Sequence, residues 1–195
     1  MPRPSLTNQV GKATWFRANP LPRWDSRCGC TSVIGRPMTA AAECAICAGP
    51  EGDPELDRVE IWRDDQWRLS MSRHGPTLGF GYLEPLRHIP SLADLDGPEA
   101  ATFGPAVARA SGVLREASGA ALVYAYVFGG GIPHLHVHLA PNQPEGVLNT
   151  ALINGPIQER KLPSGATEFT SLDHPDLPEP ELAAVIERAR ELMAR

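Results

Sequence analysis

The sequence contains few cysteines, no excess of basic residues and no long hydrophobic run. Four cysteines among 195 residues are too few for a disulfide scaffold. A net charge of −5, without a basic stripe, argues against a general nucleic-acid binder. No apolar stretch approaches the roughly 18 residues of a membrane helix, and the N-terminus lacks the apolar core of a secretory signal. We therefore expect a cytoplasmic protein with neither a nucleic-acid nor a membrane partner.

The N-terminal part of the chain also lacks a hydrophobic period. Prolines recur through residues 1–40, which predicts either a mobile extension or a start codon placed too far upstream. An apolar content of 42% and a charged content of 21% are typical of a globular domain. We expect the main domain to occupy residues 41–142. Residues 143–195 are expected to form a hairpin and an amphipathic helix packed on that domain or extending it.

The patterns after residue 44 predict strands and helices that segregate along the chain. The expected elements are a hairpin (59–63 and 67–71), a strand (78–83), a helix (97–118), a β-rich run (121–128), a second hairpin (157–162 and 167–172) and a helix from about residue 179. Asp96 and Pro98 are start signals for the first helix. This arrangement predicts an α+β fold with a mostly antiparallel sheet.

The segment GGGIPHLHVHLAPN places His134, His136 and His138 at alternate positions. Side chains two residues apart on a strand share a face, so the three imidazoles are expected on one face. Leu135, Val137 and Leu139 would then point into a core. By itself this alternation also fits polar residues on an edge strand, or a metal site that uses two or three of the histidines.

His134-Leu-His-Val-His-Leu-Ala140, preceded by Gly129 and Pro133, resembles the motif of the histidine triad family. The upstream segment Gly81–Ile89, with Pro85 three residues before His88, resembles the strand and Pro-x-x-His element of that family, and the helix over 97–118 matches its long helix. The resemblance covers about residues 44–142. It implies a five-stranded, mostly antiparallel sheet carrying a long helix, and a homodimer.

The resemblance also implies an activity, namely hydrolysis or transfer at the α-phosphorus of a nucleotide through a covalent nucleotidyl-histidine. His136 would be the nucleophile and His138 would bind the phosphoryl oxygens or the leaving group. The glycines before the triad would let backbone N–H groups approach a phosphate; they are Gly129, Gly130 and Gly131. Ser72 occupies the position at which the family binds ribose, and Arg73 beside it is a further candidate for substrate binding.

Some members of the family bind a structural zinc ion, and the matching residues here are Cys44, Cys47, His88 and His134. Two thiolates and two imidazoles suit tetrahedral Zn²⁺. A rival set would replace the histidines by Cys28 and Cys30.

Departures from the family pattern leave alternatives for the function. Gly130 stands where nucleotide-hydrolysing members carry Gln, and Ser72 stands where they carry an acidic or amide residue. His138 is typical of the hydrolases, whereas the related uridylyltransferases carry Gln there. We expect a hydrolase of a phosphoramidate or a phosphoanhydride. The alternatives are a nucleotidyltransferase of the same mechanism, a non-catalytic nucleotide-binding or scaffold protein, and a metalloenzyme that uses all three triad histidines.

Overall fold

The computed structural model describes residues 44–128, 131–144, 146, 157–163, 167–171 and 174–195. The predicted extension over residues 1–40 lies outside the described residues, as do Gly129 and Gly130. Neither of the two helices described below is long and apolar enough to cross a membrane.

Five antiparallel strands form the main sheet. In chain order they are β1 (Arg58–Arg63), β2 (Trp67–Ser72), β3 (Gly81–Pro85), β4 (Leu122–Tyr126) and β5 (Val137–Asn142). Their spatial order is β1-β2-β3-β5-β4, so β5 lies between β3 and β4. A separate two-stranded sheet contains β6 (Ile157–Lys161) and β7 (Thr167–Ser171). The α+β prediction and both predicted hairpins are confirmed.

One face of the main sheet is apolar and forms the core. Trp67, Leu69 and Met71 alternate along β2 and are almost fully buried, and Leu83 and Leu139 join them from the neighbouring strands. Alternation with period two places all of these side chains on one face. These buried apolar side chains form the hydrophobic core that stabilises the domain.

Helix α1 (Gly97–Ser118) covers the apolar face. It begins after Asp96 with Pro98 in its first turn and ends at Gly119, whose φ of 70° is the left-handed conformation that glycine adopts at helix ends. Leu114 packs so close to β3 that a Cβ on Gly81 would lie 2.8 Å from the Leu114 Cδ1 atom. Glycine at position 81 therefore allows the helix to approach the sheet.

Helix α2 (Glu179–Met193) packs against α1 and β1. Its buried side chains follow one stripe, as predicted, and are Leu182, Val185, Ile186, Ala189 and Met193. The Arg190 side chain donates a hydrogen bond to the Glu60 carbonyl at 3.1 Å, and Arg109 of α1 donates one to the Met193 carbonyl at 3.3 Å. The C-terminal helix therefore extends the layer that α1 forms over the sheet.

Two strands begin later than the patterns predict. β3 starts at Gly81 because residues 77–80 form a turn, in which the Phe80 N–H donates to the Thr77 carbonyl. β5 starts at Val137 because the backbone before it bonds elsewhere: the Leu135 N–H donates to the Ile89 carbonyl at 2.6 Å. His134 and His136 thus lie in an irregular segment ahead of the strand, and His138 lies within β5.

Candidate active site and metal centre

The triad segment alternates between two environments. Leu135, Val137 and Leu139 are each at most 2% exposed, as the alternation predicts. His134 and His136 are also buried, whereas His138 is partly exposed. Their burial gives each imidazole a defined set of neighbours, and these neighbours differ along the segment.

His134 meets the two cysteines and His88. Its Nδ1 atom lies 3.5 Å from the Cys44 Sγ and 3.3 Å from the Cys47 Sγ, and the His88 Nδ1 lies 3.1 Å from the Cys47 Sγ. All four potential ligand atoms lie within 4.8 Å of one another. The structure therefore brings together the four residues of the predicted metal site. Cys28 and Cys30 of the rival set lie outside the described residues.

The donor chemistry of this cluster fits a Zn²⁺ ion. The Nε2 atom of His134 lies 2.9 Å from the Pro85 carbonyl, which can only accept, so Nε2 carries the proton and the Nδ1 lone pair points at the sulfurs. Burial, and then the neighbouring Cys44, raise the pKa of Cys47 to about 12. A divalent cation would reverse that shift and hold both thiols as thiolates.

The segment that carries the two cysteines, residues 44–57 (the cysteine segment), packs around its own small core. This core consists of Cys44, Ala45, Ile46, Leu56, Ile132 and Leu162. Leu162 directly follows β6, and Ile132 lies just before the triad. A metal ion bound by the four ligands would therefore join the cysteine segment, the loop after β3 and the triad segment.

His136 is held in one tautomer. Its Nδ1 atom lies 2.6 Å from the His134 carbonyl, and an N–H must donate to that oxygen. The Nε2 atom of the neutral ring consequently carries the free lone pair. Burial lowers the pKa of His136 to about 4, so the ring is neutral near pH 7. A buried, oriented and neutral imidazole is suited to nucleophilic attack.

His138 is surrounded by rings. It stacks on Tyr126 with centroids 5.1 Å apart and planes inclined by 14°, and His136 lies 5.0 Å away in an edge arrangement. Three further aromatic contacts come from Phe80, Tyr82 and Phe128. Burial, followed by the charges of His136 and Arg58, lowers the pKa of His138 to about 3.

Charged residues are buried on the same face of the sheet. Arg58 donates to Glu84 at 2.5 Å, and Arg68 forms an ion pair with Asp53 of the cysteine segment. Arg68 also approaches Glu60 at 3.2 Å and Glu84 at 4.0 Å. Burial raises the pKa of Glu84, while the two arginines lower it. The ion pair between Arg68 and Asp53 thus ties residues 44–57 to the sheet.

The remaining predicted binding residues lie in different places. Ser72 is buried and donates a hydrogen bond to the His74 carbonyl at 2.7 Å, so its hydroxyl stabilises the turn after β2. The Arg73 side chain is exposed, and its backbone N–H donates to the Asp57 carbonyl. Gly131 lies three residues before His134. Their roles in binding stay predictions.

Sequence reasoning missed the polar residues beside the triad. Arg58, Tyr82 and Glu84 stand at polar positions of otherwise apolar strands, and this was the available signal. The same alternation of polar and apolar residues is common in sheets with one face in solvent. The sequence pattern therefore does not distinguish a buried ion-pair network from a solvent-exposed face.

Comparisons with known proteins give the fold. No protein-family model and no curated protein matches the sequence significantly. Among solved structures, a hypothetical histidine triad nucleotide-binding protein from Sulfolobus tokodaii is 18% identical, with a TM-score of 0.54 over 77% of this chain and 92% of that one. A zinc-bound histidine triad protein from Mycobacterium smegmatis is 17% identical, with a TM-score of 0.54 over 80% of this chain and 99% of that one.

A third structure, a histidine triad protein from Bradyrhizobium japonicum, is 18% identical and superposes with a TM-score of 0.50 over 71% of this chain and 92% of that one. The strand order, the long helix and the His-x-His-x-His segment agree with these likenesses. The chain therefore has the fold of the histidine triad family.

Proposed function

We propose that the protein is a hydrolase that cleaves a phosphoramidate or phosphoanhydride at the α-phosphorus of a nucleotide, through a covalent bond to His136. The observation that carries this proposal is the 2.6 Å hydrogen bond between the His136 Nδ1 and the His134 carbonyl. That bond leaves the Nε2 lone pair as the nucleophile and fixes its direction.

In the first half of the reaction, the His136 Nε2 attacks phosphorus and the bond from phosphorus to the leaving group breaks. The leaving group departs with the electron pair and takes a proton from the neighbouring solvent. In the second half, water attacks phosphorus and gives up a proton to the solvent. The P–N bond breaks, and its electron pair returns to Nε2 to restore the neutral imidazole. Each half is an easier displacement than the direct attack of water.

A structural Zn²⁺ ion would take no part in the bond changes and would stabilise the segment that positions His136. It would be held by Cys44, Cys47, His88 and His134. Ligation through His134 would fix the residue whose carbonyl accepts the hydrogen bond from the His136 Nδ1. The zinc-bound protein from Mycobacterium smegmatis supports the choice of metal. A homodimer stays part of the proposal, as do a nucleotide-like substrate and a cytoplasmic location.

Intact-protein mass spectrometry tests the proposal. The wild type is mixed with phosphoramidates derived from AMP, GMP and UMP and with dinucleoside polyphosphates, and quenched within seconds under conditions that preserve phosphohistidine. We expect a nucleotidyl adduct whose mass identifies the base. His136→Ala should lose the adduct and at least about 10⁴-fold in turnover.

The control is the zinc content and the circular dichroism of His136→Ala, both of which should match the wild type because the side chain is not in the ligand set. If His136→Ala keeps its turnover, the covalent mechanism is wrong. If the folded, zinc-replete wild type yields neither adduct nor product across the panel, the hydrolase proposal fails.

A further inference from the structure

The polar face of the sheet connects Arg58 with the triad. Residues that pair across antiparallel strands point to the same face. Arg58 pairs with Ser72, Ser70 pairs with Tyr82, and Tyr82 pairs with His138. Ser70 and Ser72 lie two residues apart on β2 and so share that face. Arg58 on β1 and His138 on β5 therefore lie on one surface, with Tyr82 between them.

Two neighbours hold the Arg58 guanidinium in one orientation. Its Nη1 atom donates to the Glu84 Oε1 at 2.5 Å, and its Cζ atom lies 3.4 Å from the centroid of the Tyr82 ring. The Tyr82 ring in turn lies 5.4 Å from the His138 ring. A guanidinium that is stacked and paired keeps its planar set of donors fixed. Arg58 is thus a cation of fixed orientation, and the Tyr82 ring that it stacks on also contacts the triad residue His138.

One donor of Arg58 is not used by the protein. The Nε atom is buried, and the described residues offer it no hydrogen-bond acceptor. The whole side chain is only 8% exposed. An unpaired buried N–H of a charged group is costly, and such groups in native proteins usually have a partner. A ligand oxygen would satisfy it.

Arg58 and His138 both contact the Tyr82 ring, with the Arg58 Cζ 3.4 Å from its centroid and the two ring centroids 5.4 Å apart. Among the described side chains, the Ser72 hydroxyl donates to the His74 carbonyl. A nucleotide phosphate transferred to His136 needs a cation close to its non-bridging oxygens.

We infer that Arg58 binds the phosphate oxygens of the substrate through its Nε–H and the neighbouring guanidinium donor, and that Glu84 and Tyr82 are the residues that position it. This inference rests on the proposed function and names the residue that recognises the anionic group. The substrate class is a nucleoside phosphate whose α-phosphoryl oxygens carry negative charge.

Calorimetric binding of AMP, GMP, UMP, their uncharged nucleosides and inorganic phosphate tests this role without turnover. The variant is Arg58→Gln combined with Glu84→Gln, which removes the pair without leaving a buried carboxylate unpaired. We expect affinity for the preferred monophosphate to fall about 10- to 150-fold, because a hydrogen bond to a charged group is lost. Affinity for its nucleoside should stay unchanged. Arg58→Lys should recover part of the loss, since it keeps the charge without the planar donor set.

The matched control is Arg109→Gln. Arg109 stacks on Trp62, which packs on the apolar side of the sheet, and its loss should leave monophosphate affinity unchanged. The inference is overturned if the folded, zinc-replete double variant prefers the monophosphate over the nucleoside as strongly as the wild type does. It is also overturned if the wild type shows no preference for the phosphorylated form.

Trapping of the His136 adduct separates the two claims. If the wild type forms the adduct and the double variant forms it equally fast, the hydrolase stands and the role of Arg58 fails. If binding of the monophosphate depends on Arg58 but no adduct forms with any member of the panel, the anion site stands and the hydrolase mechanism fails.

Discussion

Among individual residues, the imidazole of His138 shows how burial determines protonation. The ring lies against Tyr126 and four other rings, in a position where a charge loses most of its hydration. Its pKa is lowered from 6.5 to about 3, with burial as the largest cause. The folded protein therefore keeps this ring neutral at pH values at which the unfolded chain has taken up a proton.

This difference predicts a loss of stability in acid. Below pH 6.5 the His138 imidazole is protonated in the unfolded state but stays neutral in the folded state. The free energy of unfolding therefore falls as pH falls from 6.5 towards 3. At pH 5 the contribution of His138 is on the order of 2 kcal/mol. Thermal unfolding of wild type and His138→Gln, measured in parallel from pH 8 to pH 5, should show the wild type losing more. Loss of metal affects both proteins alike, so parallel curves would contradict the prediction.

Among the elements, the cysteine segment is joined to the rest of the domain by an ion pair and by the four-residue metal site. Asp53 pairs with Arg68 of β2, and Cys44 and Cys47 meet His88 and His134. Its own core is small, and a segment of this size gains little from burial alone. We therefore expect its order to depend on the metal ion.

Substitution of the cysteines tests this dependence and the choice of ligands. Cys44→Ser should lower the zinc content from about one ion per chain and cost about 4 kcal/mol or more, since metal binding and folding are linked. Metal analysis and denaturant unfolding measure the two effects. Cys28→Ser is the matched control and should behave as the wild type. A loss of zinc in Cys28→Ser as well as in Cys44→Ser would contradict this ligand set and favour the one in which Cys28 and Cys30 replace the histidines.

At the scale of the whole molecule, the described helices are placed unequally on the main sheet. Both helices pack on one face, and α2 lies against β1. At the other end, β4 is an edge strand and carries the exposed side chain of Leu122, with the exposed Phe128 two residues beyond its end. An edge strand with exposed apolar side chains tends to pair with another chain.

We accordingly predict a homodimer that uses the β4 edge. Leu122→Glu should weaken the dimer at least about tenfold, because a carboxylate would be desolvated at the interface. Sedimentation equilibrium over a range of concentrations measures this. Leu92→Glu, at an exposed site in the turn before α1, is the matched control. A wild type that stays monomeric at all concentrations would contradict the prediction.

The sequence alone determined the elements and the identity of the chemical groups. Periodicity located both hairpins and both helices, since hydrophobic spacing follows strand and helix geometry directly. The resemblance of the triad segment, the Pro-x-x-His element and the Cys44–Cys47 pair to the histidine triad family named the nucleophile and the metal ligands as candidates. These patterns involve residues close together in the sequence, so they can be recognised without knowing the tertiary structure.

Only the tertiary structure decided what those groups face. Arg58 lies more than 70 positions from the triad in sequence, and strand pairing through β2, β3 and β5 brings it to the same face. The proton on His136 Nδ1 follows from a carbonyl that points at it, and the lowered pKa values follow from burial. Contacts of this kind depend on the packing of distant segments, because dielectric environment and hydrogen-bond direction are properties of the assembled fold.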